Sequence, residues 1–381
     1  MKKAIYVFTN DLRITDNPAI EHLHNNGMNY IPVFIDYNPL VPELAIFPVN
    51  AKKKKFLIDA ISHLQEQLLH FDKELVIFKE FAGIELIKIA EESGCKTILM
   101  NNHNIPWLHQ IMQNVELELS RKGIYVEYFD SNYLLDLNDI NFPLSRTPDS
   151  FKSFLSRIRG SRLKDDISHQ INLSNTLQTL LAEIQEQAIP ELLPYKTVLN
   201  NHFSKFLPFL TIGQITPGEL IKIIEEWSNI EMYGPKAKKI LVKQLLKLDF
   251  IRAQFRGKIK NKQFRIQDLD RAESNKLDDW INGQTDSELI NAIMHKLKSK
   301  SNISLTSKRY TILYYLFVLE LPPYYGYKYF ENQLLEFDPG LNFYLWYQYD
   351  ANHLSSKEVL TEIASEHAHL DPEFAFTQYW K

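Results

Sequence analysis

Through the first third of the chain, short unbroken apolar runs alternate with longer stretches in which apolar residues recur every three or four positions. The runs at Ala4–Phe8, Tyr30–Ile35, Leu75–Phe78, Thr97–Met100 and Tyr125–Phe129 are strand-length and rich in β-branched and aromatic residues, so they are predicted to be buried strands. Asn17–His24, Ala51–Leu69, Gly83–Ser93 and Pro106–Lys122 carry the helical period between them. Strand and helix alternating at this spacing give a parallel sheet with helices on both faces. Residues 1–135 are therefore expected to form a doubly wound α/β domain on a five-stranded parallel sheet.

Beyond it, Ser131–Pro148 is rich in Asn, Asp and Pro and opens a connector over residues 136–190, with helical patterns at Asp149–Arg159 and Leu173–Gln187. No strand pattern follows. Helical periodicity continues at Phe203–Leu210, Pro217–Trp227, Lys236–Phe255, Ser287–Lys298, Thr306–Leu319 and Tyr325–Phe337, and two more helices are expected over Gly340–Tyr349 and Ser355–Glu366. The fold class is α/β plus all-α, with residues 191–381 as a helical domain.

Composition narrows the function. A length of 381 residues suits two domains. No apolar run is long enough to span a bilayer and the first strand begins almost at the N-terminus, so a cytoplasmic protein without membrane contact is expected. A single cysteine, Cys95, excludes an internal disulfide and a multi-cysteine metal site, and the twelve histidines show no zinc spacing; no metal is expected.

Net charge is −4, yet residues 236–265 hold eleven Lys or Arg and one acid, Asp249. Lys239, Lys243, Lys247, Arg252 and Arg256 from this block are candidate phosphate contacts for DNA. The competing reading is a solvated helix face, because Lys239, Lys243 and Lys247 follow at helical spacing.

The first strand ends in Thr9-Asn10-Asp11-Leu12-Arg13-Ile14-Thr15-Asp16-Asn17-Pro18-Ala19, a polar turn without glycine. It cannot be a glycine loop that brings backbone N–H groups close to a pyrophosphate. Asp11, Arg13 and Asp16 read as a surface salt-bridge cluster, and Asn17 as the cap of a helix with Pro18 in its first turn. This string resembles the opening of the photolyase/cryptochrome family.

The resemblance continues in the helical half. Trp280-Ile281-Asn282-Gly283-Gln284-Thr285, continuing to Asn291, is similar to the family's entrance to its flavin helix, with Asp286 where a glycine is usual and Asn291 where an aspartate is usual. Tyr329–Asn342 followed by Trp346 resembles the segment whose Asn faces the flavin N5 and whose Trp is the nearest electron donor. The resemblance therefore implies FAD as cofactor, Asn342 and Trp346 as catalytic neighbours, and Arg309 paired with Glu336 or Asp338. Ser204–Pro217 tracks the family's phosphate-binding helix N-terminus, keeping Ser204 and Lys205 but showing Phe203 and Leu207 where hydroxyls are usual. Each lost donor would weaken FAD binding by about 1 kcal/mol or more. Tyr195 stands where the family has a tyrosine contact.

Thr147–Phe154 is similar to a segment of the DASH cryptochromes, which implies a short, divergent DASH-like member. The family's activity is blue-light repair of cyclobutane pyrimidine dimers, with the lesion stacked on aromatic side chains. Gln244 stands at the dimer-contacting Glu, Lys247 at one stacking Trp and Gln348 at the other. Three readings remain open: a DASH-like photolyase acting on single-stranded or lesion-bearing DNA, a blue-light sensor without repair, and a flavin-free scaffold for nucleic acid or protein. Tyr310, Tyr314, Tyr315, Tyr324, Tyr325 and Tyr327 read as core or as an electron relay. The turn Asn101–Pro106 lacks the family's folate-holding carboxylate, so no antenna chromophore follows from the sequence.

Overall fold

β1 (Lys3–Phe8) is buried at every residue from Ala4 to Phe8, as the central strand of a sheet covered on both faces must be. A computed structural model describes residues 3–35, 47–78, 82–102, 106–186, 195–228, 234–259, 267–336, 338–347 and 375–380. Among them β1, β2 (Asn29–Ile35), β3 (Val76–Phe78), β4 (Thr97–Asn101) and β5 (Tyr125–Phe129) form one parallel sheet in the order β3-β2-β1-β4-β5. Ile5 sits opposite Ile31 on one side and Ile98 on the other. The two-residue period of β1 separates the faces. Tyr6 and Phe8 pack with α1 (Pro18–Asn25) and α2 (Ala51–Leu69), whereas Ile5 and Val7 pack with α3 (Ala82–Ser93) and α4 (Pro106–Arg121). The protein is α/β followed by α-helical, as the patterning implies.

The chain divides into two compact units, residues 1–42 with 57–261 and residues 43–56 with 262–381, so the boundaries expected near 135 and 190 lie inside the first unit. After the sheet, that unit holds a 3₁₀ turn (Leu144–Arg146), α5 (Phe151–Arg157), α6 (Asn175–Glu186), α7 (Tyr195–Thr211), α8 (Pro217–Ser228) and α9 (Gly234–Gln254), which ends in a π turn (Phe255–Ile259). The second unit holds α10 (Arg271–Asn282), α11 (Glu288–Lys300), α12 (Leu305–Phe317), α13 (Pro323–Gln333), α14 (Pro339–Tyr347) and α15 (Ala375–Tyr379). Residues 47–50 belong to it as well. The Phe47 and Pro48 carbonyls accept from Asn332 Nδ2 and Gln333 Nε2, and Asn50 N–H donates to the Asn332 carbonyl. The helix expected over Ser355–Glu366 lies outside the described residues.

The polar turn after β1 is not on the surface. Asp11 and Arg13 are both buried, which corrects the expected surface cluster. Arg13 donates to the Gly213 and Ser131 carbonyls, to Asn132 Oδ1 and to the Asp16 carbonyl, while Leu12 N–H donates to the Ile212 carbonyl. Gly213 lies so close that a Cβ there would fall 2.3 Å from the Asn10 carbonyl oxygen. The turn thus clasps the sheet to the α7–α8 loop within the first unit. Asn17 caps α1, accepting from the Ala19 and Ile20 N–H groups, with Pro18 in the first turn.

Candidate flavin and nucleic-acid sites

α14 carries the two residues expected next to the flavin. Asn342 and Trp346 are four residues apart, hence on one helical face, and both are buried. Asn342 Nδ2 donates to the Tyr327 carbonyl at 3.2 Å, which fixes the amide and leaves its Oδ1 buried without a partner among the described residues. Trp346 Nε1 is likewise buried without a partner among the described residues, while its ring contacts Tyr315 (5.2 Å between centroids), Phe330 (5.4 Å) and Trp280 (6.5 Å). Buried polar atoms left without a partner cost free energy unless a ligand or water meets them.

The neighbouring candidates hold the frame. Trp280 is fully buried, and its Nε1 donates to Thr311 Oγ1 at 3.1 Å. Asn291 closes the α10–α11 turn on Thr285, accepting from its N–H and hydroxyl and donating to its carbonyl. Asp338 Oδ1 accepts from Leu341 N–H at the start of α14, and Asn342 N–H donates to the Asp338 carbonyl. Glu336 forms a buried ion pair with Lys308, the residue before Arg309. Arg309 is half-buried on α12.

The phosphate-side candidates belong to the first unit. α7 starts at Tyr195, so Ser204 and Lys205 lie in mid-helix, half-buried, and not at a helix N-terminus as expected. The free N–H groups that favour an anion belong to the first turn, beside Tyr195.

On α9, Lys239, Lys243 and Lys247 are exposed in one stripe and Gln244 is half-buried. Arg252 is corrected from a surface contact to a core residue, 2% exposed, with Nη1 donating to the Asn132 carbonyl. Arg256 pairs with Asp130, and Lys238 with Glu225 and Asp165, so the basic block presents fewer free charges than its composition suggests. Burial pushes the Asp249 carboxyl up to about 7, although it accepts from the Leu135 N–H. Of the tyrosines, Tyr310, Tyr314, Tyr315, Tyr324 and Tyr327 are buried, as core residues are.

Sequence reasoning missed Lys308, a buried lysine with no local signal, and Gly326, whose one signal was a glycine inside the aromatic run Tyr324–Phe330. No group of metal-ligating side chains occurs among the described residues, and no helix there is long and apolar enough to cross a membrane.

A family model for DNA photolyase matches residues 4–170, and one for the FAD binding domain of DNA photolyase matches residues 241–380. The chain belongs to the photolyase/cryptochrome family and carries its FAD-binding domain. Cryptochrome DASH of Synechocystis sp. is 20% identical over an alignment covering 98% of this chain and 86% of that protein; cryptochrome DASH of Idiomarina loihiensis is 21% identical, covering 90% and 84%. The protein is accordingly a DASH-like member. The match to the blue-light photoreceptor PHR2 of Arabidopsis thaliana, 21% identical, spans 44% of this chain and 38% of that protein. Among solved structures, the Synechocystis cryptochrome superposes with a TM-score of 0.80 at 20% identity, covering 100% of this chain and 88% of that one. An archaeal photolyase from Sulfolobus tokodaii, solved with two FAD molecules, gives 0.66 at 18%, covering 99% and 90%.

The residues present fit a flavin. An anchored amide whose oxygen lacks a protein partner suits the N–H edge of a flavin ring, and the buried indole beside it suits a one-electron donor.

Proposed function

We propose that this chain is a cytoplasmic, light-driven repair enzyme for cyclobutane pyrimidine dimers in single-stranded or lesion-bearing DNA, a deoxyribodipyrimidine photolyase. The observation that carries the reading is Asn342, held by the Tyr327 carbonyl with its Oδ1 free, on the same helical face as buried Trp346. Bound FAD supplies the photoexcited electron that splits the dimer. Asn342 Oδ1 would accept a hydrogen bond from the flavin ring, and the bond from Asn342 Nδ2 to the Tyr327 carbonyl keeps the amide from rotating. Glu336 and Lys308 compensate each other, so the pair adds no net charge to the helix bundle. Lys239, Lys243 and Lys247 neutralise backbone phosphates, and Gln244 between them contributes an amide for the lesion.

A second reading, a blue-light sensor without repair, is favoured by the exposed Lys247, since a lysine offers no stacking platform worth the roughly 1–3 kcal/mol per base of an aromatic. The test is the visible spectrum of the purified protein with identification of the released cofactor, then blue-light repair of a thymine dimer in a single-stranded oligonucleotide. Released FAD with dimer loss supports the enzyme. FAD without dimer loss leaves the sensor, and a colourless protein that takes up no FAD overturns both.

A further inference from the structure

A second concentration of positive charge lies in the first unit, outside α9. Residues 141–164 hold six Lys or Arg and one acid, Asp149. Arg146, Lys152, Arg157, Arg159 and Arg162 are exposed, and none of the five forms an ion pair among the described residues. Two of them, with Asn141, Phe142, Pro143 and Ser156, line a cavity of about 500 Å³. That is the size of a small-ligand site, and no carboxylate is in its lining.

Both walls are fixed. Arg146 ends the 3₁₀ turn, whose Leu144 carbonyl lies against Gly257 so closely that a Cβ there would be 2.0 Å away. Arg157 ends α5, which is seated by Phe151 and Phe154 on Phe250, with ring centroids 5.7 and 5.3 Å apart. The Arg157 guanidinium lies 5.6 Å above the Phe142 ring and donates to the Arg146 carbonyl at 3.3 Å, so it is held in place before any ligand arrives.

Two arginines in the lining of one cavity without a carboxylate give it a positive potential that an anion would neutralise. Their planar donor forks match phosphate oxygens. The guanidinium face turned away from Phe142 is also a surface on which a nucleobase stacks. We propose that this cavity binds a nucleotide through its phosphate ester, with Arg146 and Arg157 on the phosphate oxygens and Asn141 and Ser156 supplying polar contacts to the sugar or base. The ligand is either a free nucleotide or one unit of a single strand, and the site shares no residue with the flavin neighbours or the α9 stripe.

The test is calorimetric titration of the full chain with AMP and with a hexathymidylate single strand, repeated on Arg146→Ala, Arg157→Ala, Ser156→Asp and Lys243→Ala. The Ser156→Asp substitution is on an exposed position and adds the carboxylate the cavity lacks, so it reads the site even where an arginine variant folds poorly. Loss of about tenfold or more in affinity for both probes in the arginine and Ser156→Asp variants supports a free-nucleotide site. The same loss for the single strand alone supports a strand-binding site. Unchanged affinity for both probes in folded variants overturns the inference. If Lys243→Ala alone weakens the strand, the α9 contact stands and this inference falls; if the arginine variants alone weaken it, the reverse holds.

Discussion

Gly326 on α13 lies against the six-membered ring of Trp346 on α14: a Cβ at that glycine would sit 2.0 Å from the indole Cη2. Phe330, Tyr315 and Trp280 enclose the same ring, so it has no room to retreat.

Gly326→Ala gains up to about 1 kcal/mol of helix propensity but forces a methyl group into the indole, at a cost of about 1–3 kcal/mol. The clash wins. The variant is expected to have a lower Tm and altered tryptophan fluorescence, and Trp346→Phe in the same chain should restore part of the loss; additive effects of the two changes would refute the contact.

Arg13→Lys should cost about 3 kcal/mol or more in denaturant unfolding, because a single ammonium cannot replace a guanidinium bonded to Asp16, Ser131, Asn132 and Gly213. Limited proteolysis should meanwhile open the α7–α8 loop. A variant as stable as the parent would show that the clasp contributes nothing.

Stability should fall as pH rises toward neutral through Asp249. Its folded carboxyl titrates at about 7 against an ordinary value of 3.8, so the folded state binds the proton more tightly. The contribution is fully present below about pH 4 and is lost as pH passes 7, an effect on the order of a few kcal/mol. Asp249→Asn should be relatively more stable at pH 8 than at pH 5 in urea titrations of both chains. A constant difference between the two would show that the group does not titrate in this range.

Single-strand binding through Lys239, Lys243 and Lys247 should lose affinity with salt, each phosphate neutralised adding about 0.7 to the slope of log affinity against log salt. Each lysine changed to alanine should reduce that slope by the same amount, measured by fluorescence anisotropy. Arg252→Lys should leave the slope unchanged, because residue 252 is in the core.

Much of this was legible in the chain. The alternation of apolar runs with helical periods gave a sheet with helices on both faces, and the Asn17-Pro18 cap placed α1 to within one residue. α10 escaped because only Leu277 and Trp280 of its residues are buried, too few to display an apolar stripe. Its local signals were the capping box between Asp270 and Glu273 and the left-handed Gly283 at its end. Arg252 was misassigned by reading composition without angle: five residues beyond Lys247, an α-helix has turned about 140° away from the lysine stripe. The Lys308–Glu336 pair escaped because the burial of a lysine depends on packing that no local pattern encodes.

The short segment around Phe47 and Asn50 closes contacts with residues up to 285 positions later in the chain. A fragment cut at residue 262 would therefore lack part of its own wall: Tyr329 would lose the Phe47 ring that meets it edge-on at 5.4 Å, and Asn332 and Gln333 would lose their backbone acceptors. During synthesis the same segment emerges early and must wait for residues 329–333, so its closure into the second unit is a late, high-contact-order event in folding.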